Sequence, residues 1–170
     1  NRAAVWSNSY TSVWHFNADG TDAKGANTLA NNGATFAAGK LGNAASFASN
    51  NRLTWPDNLS TSSTTTMTAS AWFKTNAAGV IWGTQNTTYP AGPSNYTGVV
   101  YVDTNGKLRA GFWGGSITQV VSTASVNDNA WHFFTFVVNK PNAYLYLDGG
   151  YVGTFNNASI SYCHELRIYL

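Results

Sequence analysis

The chain has 170 residues, which suits one domain burying roughly two-thirds of the surface its unfolded form exposes. Charged residues are only 9% of it, the net charge is +2, and the nine Lys and Arg are scattered from Arg2 to Arg167 with no run that neutralises successive phosphates, so no nucleic acid partner is expected. Cys163 stands alone, which excludes an internal disulfide and a cysteine-based zinc site, and no apolar stretch approaches the ~20 residues of a membrane-spanning helix, so no membrane insertion is expected.

Residues 1–11 read as a linker or N-terminal extension, and 12–170 as the domain. Residues 12–16 read as a first strand, and 17–33, rich in Gly, Asn, Asp and Ala, as a loop. Short extended pieces follow at 34–36, 44–48 and 52–55, until Pro56-Asp57-Asn58 stops the chain. Residues 67–74 set Met67, Ala69, Ala71 and Phe73 against Thr68, Ser70, Trp72 and Lys74, the pattern of a central strand with one richer face. A strand at 79–83 precedes a long loop, 84–97, with Tyr89, Pro90, Pro93 and Tyr96. Strands at 99–103 and 107–113 flank Thr104-Asn105-Gly106, a hairpin signal, and 118–123 follows.

Residues 131–155 hold three β-rich runs cut by Asn139-Lys140-Pro141-Asn142 and Asp148-Gly149-Gly150, a double hairpin. In the first run both alternating sets, Trp131, Phe133 and Val137 against His132, Phe134, Phe136 and Val138, are mostly apolar, which places that strand between two layers. A last strand lies within 160–170. About a dozen strands and no helical periodicity predict an all-β fold, two antiparallel sheets face to face in a jelly-roll β-sandwich.

An ordered series of motifs carries a resemblance. Ser12-Val13-Trp14-His15-Phe16, Asp22-Ala23-Lys24-Gly25, Gly39-Lys40-Leu41-Gly42-Asn43-Ala44, Thr68-Ala69-Ser70-Ala71-Trp72-Phe73, Trp131-His132, Tyr144-Leu145-Tyr146-Leu147-Asp148-Gly149 and Glu165-Leu166-Arg167-Ile168-Tyr169 occur in the order seen in laminin-G-like domains. The chain therefore resembles the concanavalin A-like lectin/glucanase superfamily. Val5-Trp6-Ser7-Asn8-Ser9-Tyr10 is similar to the linker joining such domains to an upstream module in bacterial surface proteins, which implies a secreted or cell-surface multidomain protein.

The resemblance sets two chemical expectations. Hydrolytic relatives use paired glutamates, because retaining glycoside cleavage needs a nucleophilic carboxylate and an acid about 5–5.5 Å apart. This chain has one glutamate, Glu165, and its aspartates form no Glu-x-Asp-x-x-Glu arrangement, so no enzyme is expected. Many relatives hold one calcium ion beside the loop after the first strand; Asp19, Asp22, Asn27 and Glu165 are the matching oxygen donors, with His164 standing where relatives carry an aspartate.

The implied function is binding of a glycan or surface polysaccharide as a non-catalytic carbohydrate-binding or adhesion module. Sugar rings stack their C–H faces on aromatics and need amide and hydroxyl partners, which Trp82, Gln85, Asn86, Tyr89, Asn95, Tyr96, Trp113 and Ser116 supply. In the other reading of these residues the two tryptophans are core, and the domain is a structural spacer or binds protein partners in a surface assembly.

Overall fold

A computed structural model of the chain describes residues 5–6, 9–48, 50–56, 64–87, 96–113, 117–156 and 165–168. Thirteen strands form among the described residues: β1 (Ala30–Asn32), β2 (Thr35–Ala38), β3 (Asn43–Ser46), β4 (Arg52–Thr54), β5 (Thr66–Phe73), β6 (Gly79–Gln85), β7 (Tyr96–Val102), β8 (Lys107–Trp113), β9 (Ile117–Ser125), β10 (His132–Asn139), β11 (Asn142–Leu147), β12 (Gly150–Asn156) and β13 (Glu165–Ile168). One sheet has seven strands in the order β1-β4-β13-β6-β7-β8-β9, a second has four in the order β12-β11-β10-β5, and β2 pairs with β3 as a separate hairpin. Pairing is antiparallel throughout these sheets, and the sandwich is the predicted all-β architecture.

The turns obey their sequences. Leu147 pairs with Gly150 around Asp148 and Gly149, whose φ values of 51° and 81° are the positive pair that a two-residue hairpin needs. The β7–β8 turn is held by Asp103, whose Oδ1 accepts the N–H groups of Asn105 and Lys107, both at 2.9 Å.

The core lies between the two sheets. Phe73, Phe134, Phe136, Val138, Leu145 and Phe155 meet Trp82, Val100, Val102, Leu108, Ala110 and Phe112. A line of rings runs from Trp14 through Trp55 (4.8 Å) and Trp82 (6.0 Å) to Phe136 (6.1 Å), linking this core to a smaller cluster at Leu29, Ala34 and Leu53.

Three expectations change. Residues 12–16 form no strand; Trp14 makes an isolated bridge to Asp22, because the Val13 N–H goes to the Asp22 carboxylate and Phe16 turns to φ 54°. β10 is not covered on both faces: Phe134, Phe136 and Val138 are buried, whereas Phe133, Thr135 and Val137 are half-buried on the outer face, where Phe133 lies against Trp72 at 5.2 Å. The loop read at 84–97 is shortened at both ends, since β6 continues to Gln85 and β7 begins at Tyr96. At the N-terminus, Trp6 packs on His15 at 5.6 Å, and the Lys24 ammonium donates to the Trp6 carbonyl at 3.3 Å.

Candidate functional site

The outer face of the seven-stranded sheet is built around an irregularity. The β6–β7 register shifts on either side of Trp82, so that Val80 pairs with Tyr101 and Gly83 with Gly98. That bulge turns both Val99 and Val100 to the core and puts Tyr96, Gly98 and Tyr101 on one outward face. A Cβ on Gly98 would stand 3.0 Å from the Tyr101 ring, so glycine gives that ring room to lie on the sheet. Its partner Gly83 is equally confined, with Thr97 O and Val80 Cγ1 both at 3.1 Å from a Cβ there.

Two polar pairs rise beside this glycine floor. The Tyr101 hydroxyl donates to Gln119 Oε1 at 2.8 Å. Burial raises the Tyr101 phenol above its ordinary value, outweighing the lowering by Arg109, so it keeps the proton it donates. Arg109, cross-strand from Tyr101, donates through Nε to Asp103 Oδ2 at 2.6 Å. That guanidinium, with the Lys107 and Asn105 N–H groups, holds the Asp103 carboxyl below the usual range. Tyr96, 78% exposed, presents an open ring at the end of the same face.

The predicted ligand residues divide. Register brings the end of β6 and the start of β7 together at Gln85–Tyr96, and the neighbouring β8 finishes at Trp113 at that same end of the strands. Of the predicted set only Tyr96 and the half-buried Asn86 have described, accessible side chains there. Trp82 is corrected to a core residue, 3% exposed, stacked on Trp55 and edge-on to Phe136, and so not open to a sugar. Gln85 is also buried and gives its amide to the Thr87 carbonyl, bracing the strand end. Tyr89, Asn95 and Ser116 lie outside the described residues, as do the side chains of Trp113 and Glu165. Sequence reading missed Tyr101, Gln119, Arg109 and Asp103; alternation either side of the Asn105-Gly106 turn was the available signal for Tyr101 and Arg109.

Of the predicted calcium donors, Asp22 is the one whose two carboxylate oxygens both face backbone N–H groups, and the Glu165 side chain lies outside the described residues. Asp22 is buried, its Oδ1 accepting the N–H groups of Val13 and Lys24 at 2.9 Å each and its Oδ2 that of Asn27 at 3.1 Å. Burial pushes this carboxyl up, but the N–H groups of Val13, Lys24, Asn27 and Ala26 together hold it below the usual aspartate range. Asn27 gives its carbonyl to the Trp14 indole at 2.8 Å and its amide to Ser12 Oγ at 2.7 Å, while Asp19 Oδ1 accepts the Thr21 N–H. Each Asp22 oxygen thus has a lone pair committed to N–H donors, whereas a calcium ion takes six to eight oxygens. Among the described residues no three His, Cys, Asp or Glu side chains gather into a metal cluster.

At the other end of the sandwich His132 is clamped by two carboxylates, with Nδ1 2.8 Å from Asp148 Oδ2 and Nε2 3.1 Å from Asp128 Oδ1. Burial lowers its pKa, but the hydrogen bonds and charges of Asp148 and Asp128 raise it by more, to a net upward shift. Only the doubly protonated ring donates to both. The folded pKa is above the unfolded one, so this contribution is complete below the unfolded value near 6.5 and fades as pH rises through the folded value. Thermal melts from pH 6 to 9 are expected to show a falling Tm that flattens in His132→Gln; an equal slope in that variant would remove the clamp from the account.

The model of the concanavalin A-like lectin/glucanases superfamily matches residues 47–163. The chain belongs to that superfamily. Two solved structures share its fold. Domains LG4-5 of the mouse laminin alpha1 chain align over 69% of this chain and 31% of that one, with 19% identity and a TM-score of 0.54, so the chain spans under a third of the laminin fragment. Domain 4 of AbnA, a GH43 extracellular arabinanase from Geobacillus stearothermophilus solved with arabinotriose, aligns over 89% of this chain and 86% of that one, with 18% identity and a TM-score of 0.53. No curated protein sequence matches the chain.

For this superfamily member, the spaced motifs are contacts. Trp131-His132 meets Leu147-Asp148-Gly149 through the His132 clamp, Gly39-Lys40 reaches Trp72 with the Lys40 ammonium 5.3 Å from the indole centroid, and Val13-Trp14 meets Asp22.

Proposed function

We propose that this domain is a non-catalytic carbohydrate-binding or adhesion module of a secreted or cell-surface protein, and that it holds a glycan on the Tyr96–Gln119 face of the seven-stranded sheet. The observation that carries this reading is the open Tyr96 ring on the same face as a glycine floor and two fixed polar pairs, Tyr101–Gln119 and Arg109–Asp103. Aromatic faces take sugar C–H patches, and the Gln119 amide nitrogen, the Arg109 guanidinium and the Asp103 carboxylate answer hydroxyls. Asn86, just past the end of β6, extends that surface.

The AbnA domain with arabinotriose supports a sugar ligand, and its extracellular parent supports an extracytoplasmic setting. A non-catalytic role is supported by the carboxylates: Asp22 is engaged with backbone N–H groups, Asp103 with Arg109, and Asp128 and Asp148 with one imidazole. None of these is a free pair of the kind retaining cleavage uses.

The test is a glycan array with the purified domain, followed by titration of arabinotriose and of the best array hit into the wild type and Tyr96→Ala/Gln119→Ala. Selective binding that falls at least about tenfold in the double variant, with Tm unchanged, is expected. Absence of binding to every glycan would put the spacer or protein-assembly reading first.

A further inference from the structure

The outer face of the four-stranded sheet carries a second set of rings, pointing away from the face just described. Trp72 on β5 and Phe133 on β10 are cross-strand partners with centroids 5.2 Å apart, and Tyr146 on β11 and Tyr151 on β12 are partners at 5.6 Å. Phe133 and Tyr146 are diagonal neighbours, because Tyr146 is paired with Thr135, two residues along β10 from Phe133. The four rings therefore make a diagonal strip across all four strands, about 15 Å from end to end at the usual strand spacing. Its two ends are open, Trp72 being 40% and Tyr151 60% exposed.

A sheet face turned to water ordinarily alternates to charged or small polar side chains. Here the outward positions of the four strands carry no charged side chain: hydroxyls such as Ser70 and Thr135 stand beside the rings, and the Lys40 ammonium reaches the edge of the strip from the β2–β3 turn. The core is filled by the other face of the same strands, so these rings lie outside it.

We propose that this strip is a second binding surface, for an uncharged polysaccharide chain, so that one copy of the domain engages glycan on both outer faces of the sandwich. The charge pattern selects the occupant. A polyanionic glycan would meet Lys40 at the edge of the strip and Lys74 just past the end of β5 but no cation along the rings themselves, and a charged protein surface would be desolvated against rings and hydroxyls. A neutral chain asks only for flat apolar faces and neutral hydrogen-bonding groups, and the linear strip suits an extended polymer rather than a compact small molecule. The inference goes beyond the Tyr96 reading and shares with it only the ligand class.

The experiment is affinity gel electrophoresis of the full chain in debranched arabinan, xylan and mixed-linkage β-glucan, comparing wild type, Trp72→Ala/Tyr151→Ala and Tyr96→Ala/Gln119→Ala. Sedimentation is run in parallel. The strip variant is expected to keep the wild-type Tm, because both side chains are substantially exposed, and to lose retardation in at least one polysaccharide by about tenfold or more. The Tyr96→Ala/Gln119→Ala variant is expected to keep the strip's share of the retardation; if it does while array binding on the Tyr96 face is absent, the strip stands and the Tyr96 reading falls. Should truncation lower the Tm, Trp72→Phe supplies the second readout: the tryptophan emission change caused by the polysaccharide in the wild type is expected to disappear there. Equal retardation of strip variant and wild type overturns the inference, as do a wild type that none of the three polysaccharides retards and a dimer dissolved by the strip variant with no glycan effect.

Discussion

Phe136→Ala is expected to destabilise the domain by about 3–5 kcal/mol and to lower its Tm by roughly 10 °C or more. Phe136 is fully buried at the meeting of three rings, Trp82 at 6.1 Å, Phe112 at 5.5 Å and Phe155 at 6.3 Å, contributed by both sheets. Truncation leaves a cavity walled by rigid aromatics on paired strands, which cannot collapse into it as flexible side chains do. Phe136→Leu keeps most of the volume and is expected to cost less than half as much. Urea titration of both variants at constant m-value is the check, and a Phe136→Ala loss below about 1 kcal/mol would mean that the aromatic centre repacks freely.

Asp22→Ala is expected to cost about 3 kcal/mol, because it leaves several part-buried N–H groups without an acceptor, each worth about 1 kcal/mol or more when unpaired. Asp22→Asn keeps one carbonyl oxygen and is expected to fall between. The folded carboxyl titrates below its unfolded value, so its contribution is present above the unfolded pKa near 3.8 and is lost as pH falls through the folded pKa. The wild type is therefore expected to lose stability in acid, below about pH 4, more steeply than Asp22→Asn. Because the same oxygens face N–H donors, millimolar calcium or chelator is expected to leave the wild-type Tm in place. A calcium-dependent rise of several degrees would show that the ion finds donors other than Asp22.

Much of the architecture was legible because strand signals here are local. The Asp148-Gly149 turn, the Asn105-Gly106 turn and the alternation of residues 67–74 each depend on neighbours a few residues away, and each appears as read. The resemblance was equally legible, as its motifs are contacts between elements distant in sequence: His132 with Asp148, Lys40 with Trp72, Val13 with Asp22. The binding faces were less so. Tyr96 and Tyr101 are five residues apart, which simple alternation assigns to opposite faces; the bulge at Val99–Val100 puts them together. Trp82 and Trp72 both lie in strands and look alike as aromatics, yet one is stacked in the core and the other is 40% exposed.

An all-β sandwich of the laminin-G-like kind, poor in charge and without paired glutamates, was readable from the residues alone, since composition, turn chemistry and motif order do not depend on how the sheets meet. Which rings are covered, which carboxylates are engaged and that the outer face of β10 is only half-buried emerge from the packing of the sheets. The reason is physical: a side chain's exposure and its hydrogen-bond partners are set by the layer that packs against it and by strand register, and a one-residue bulge reverses both without altering the local pattern.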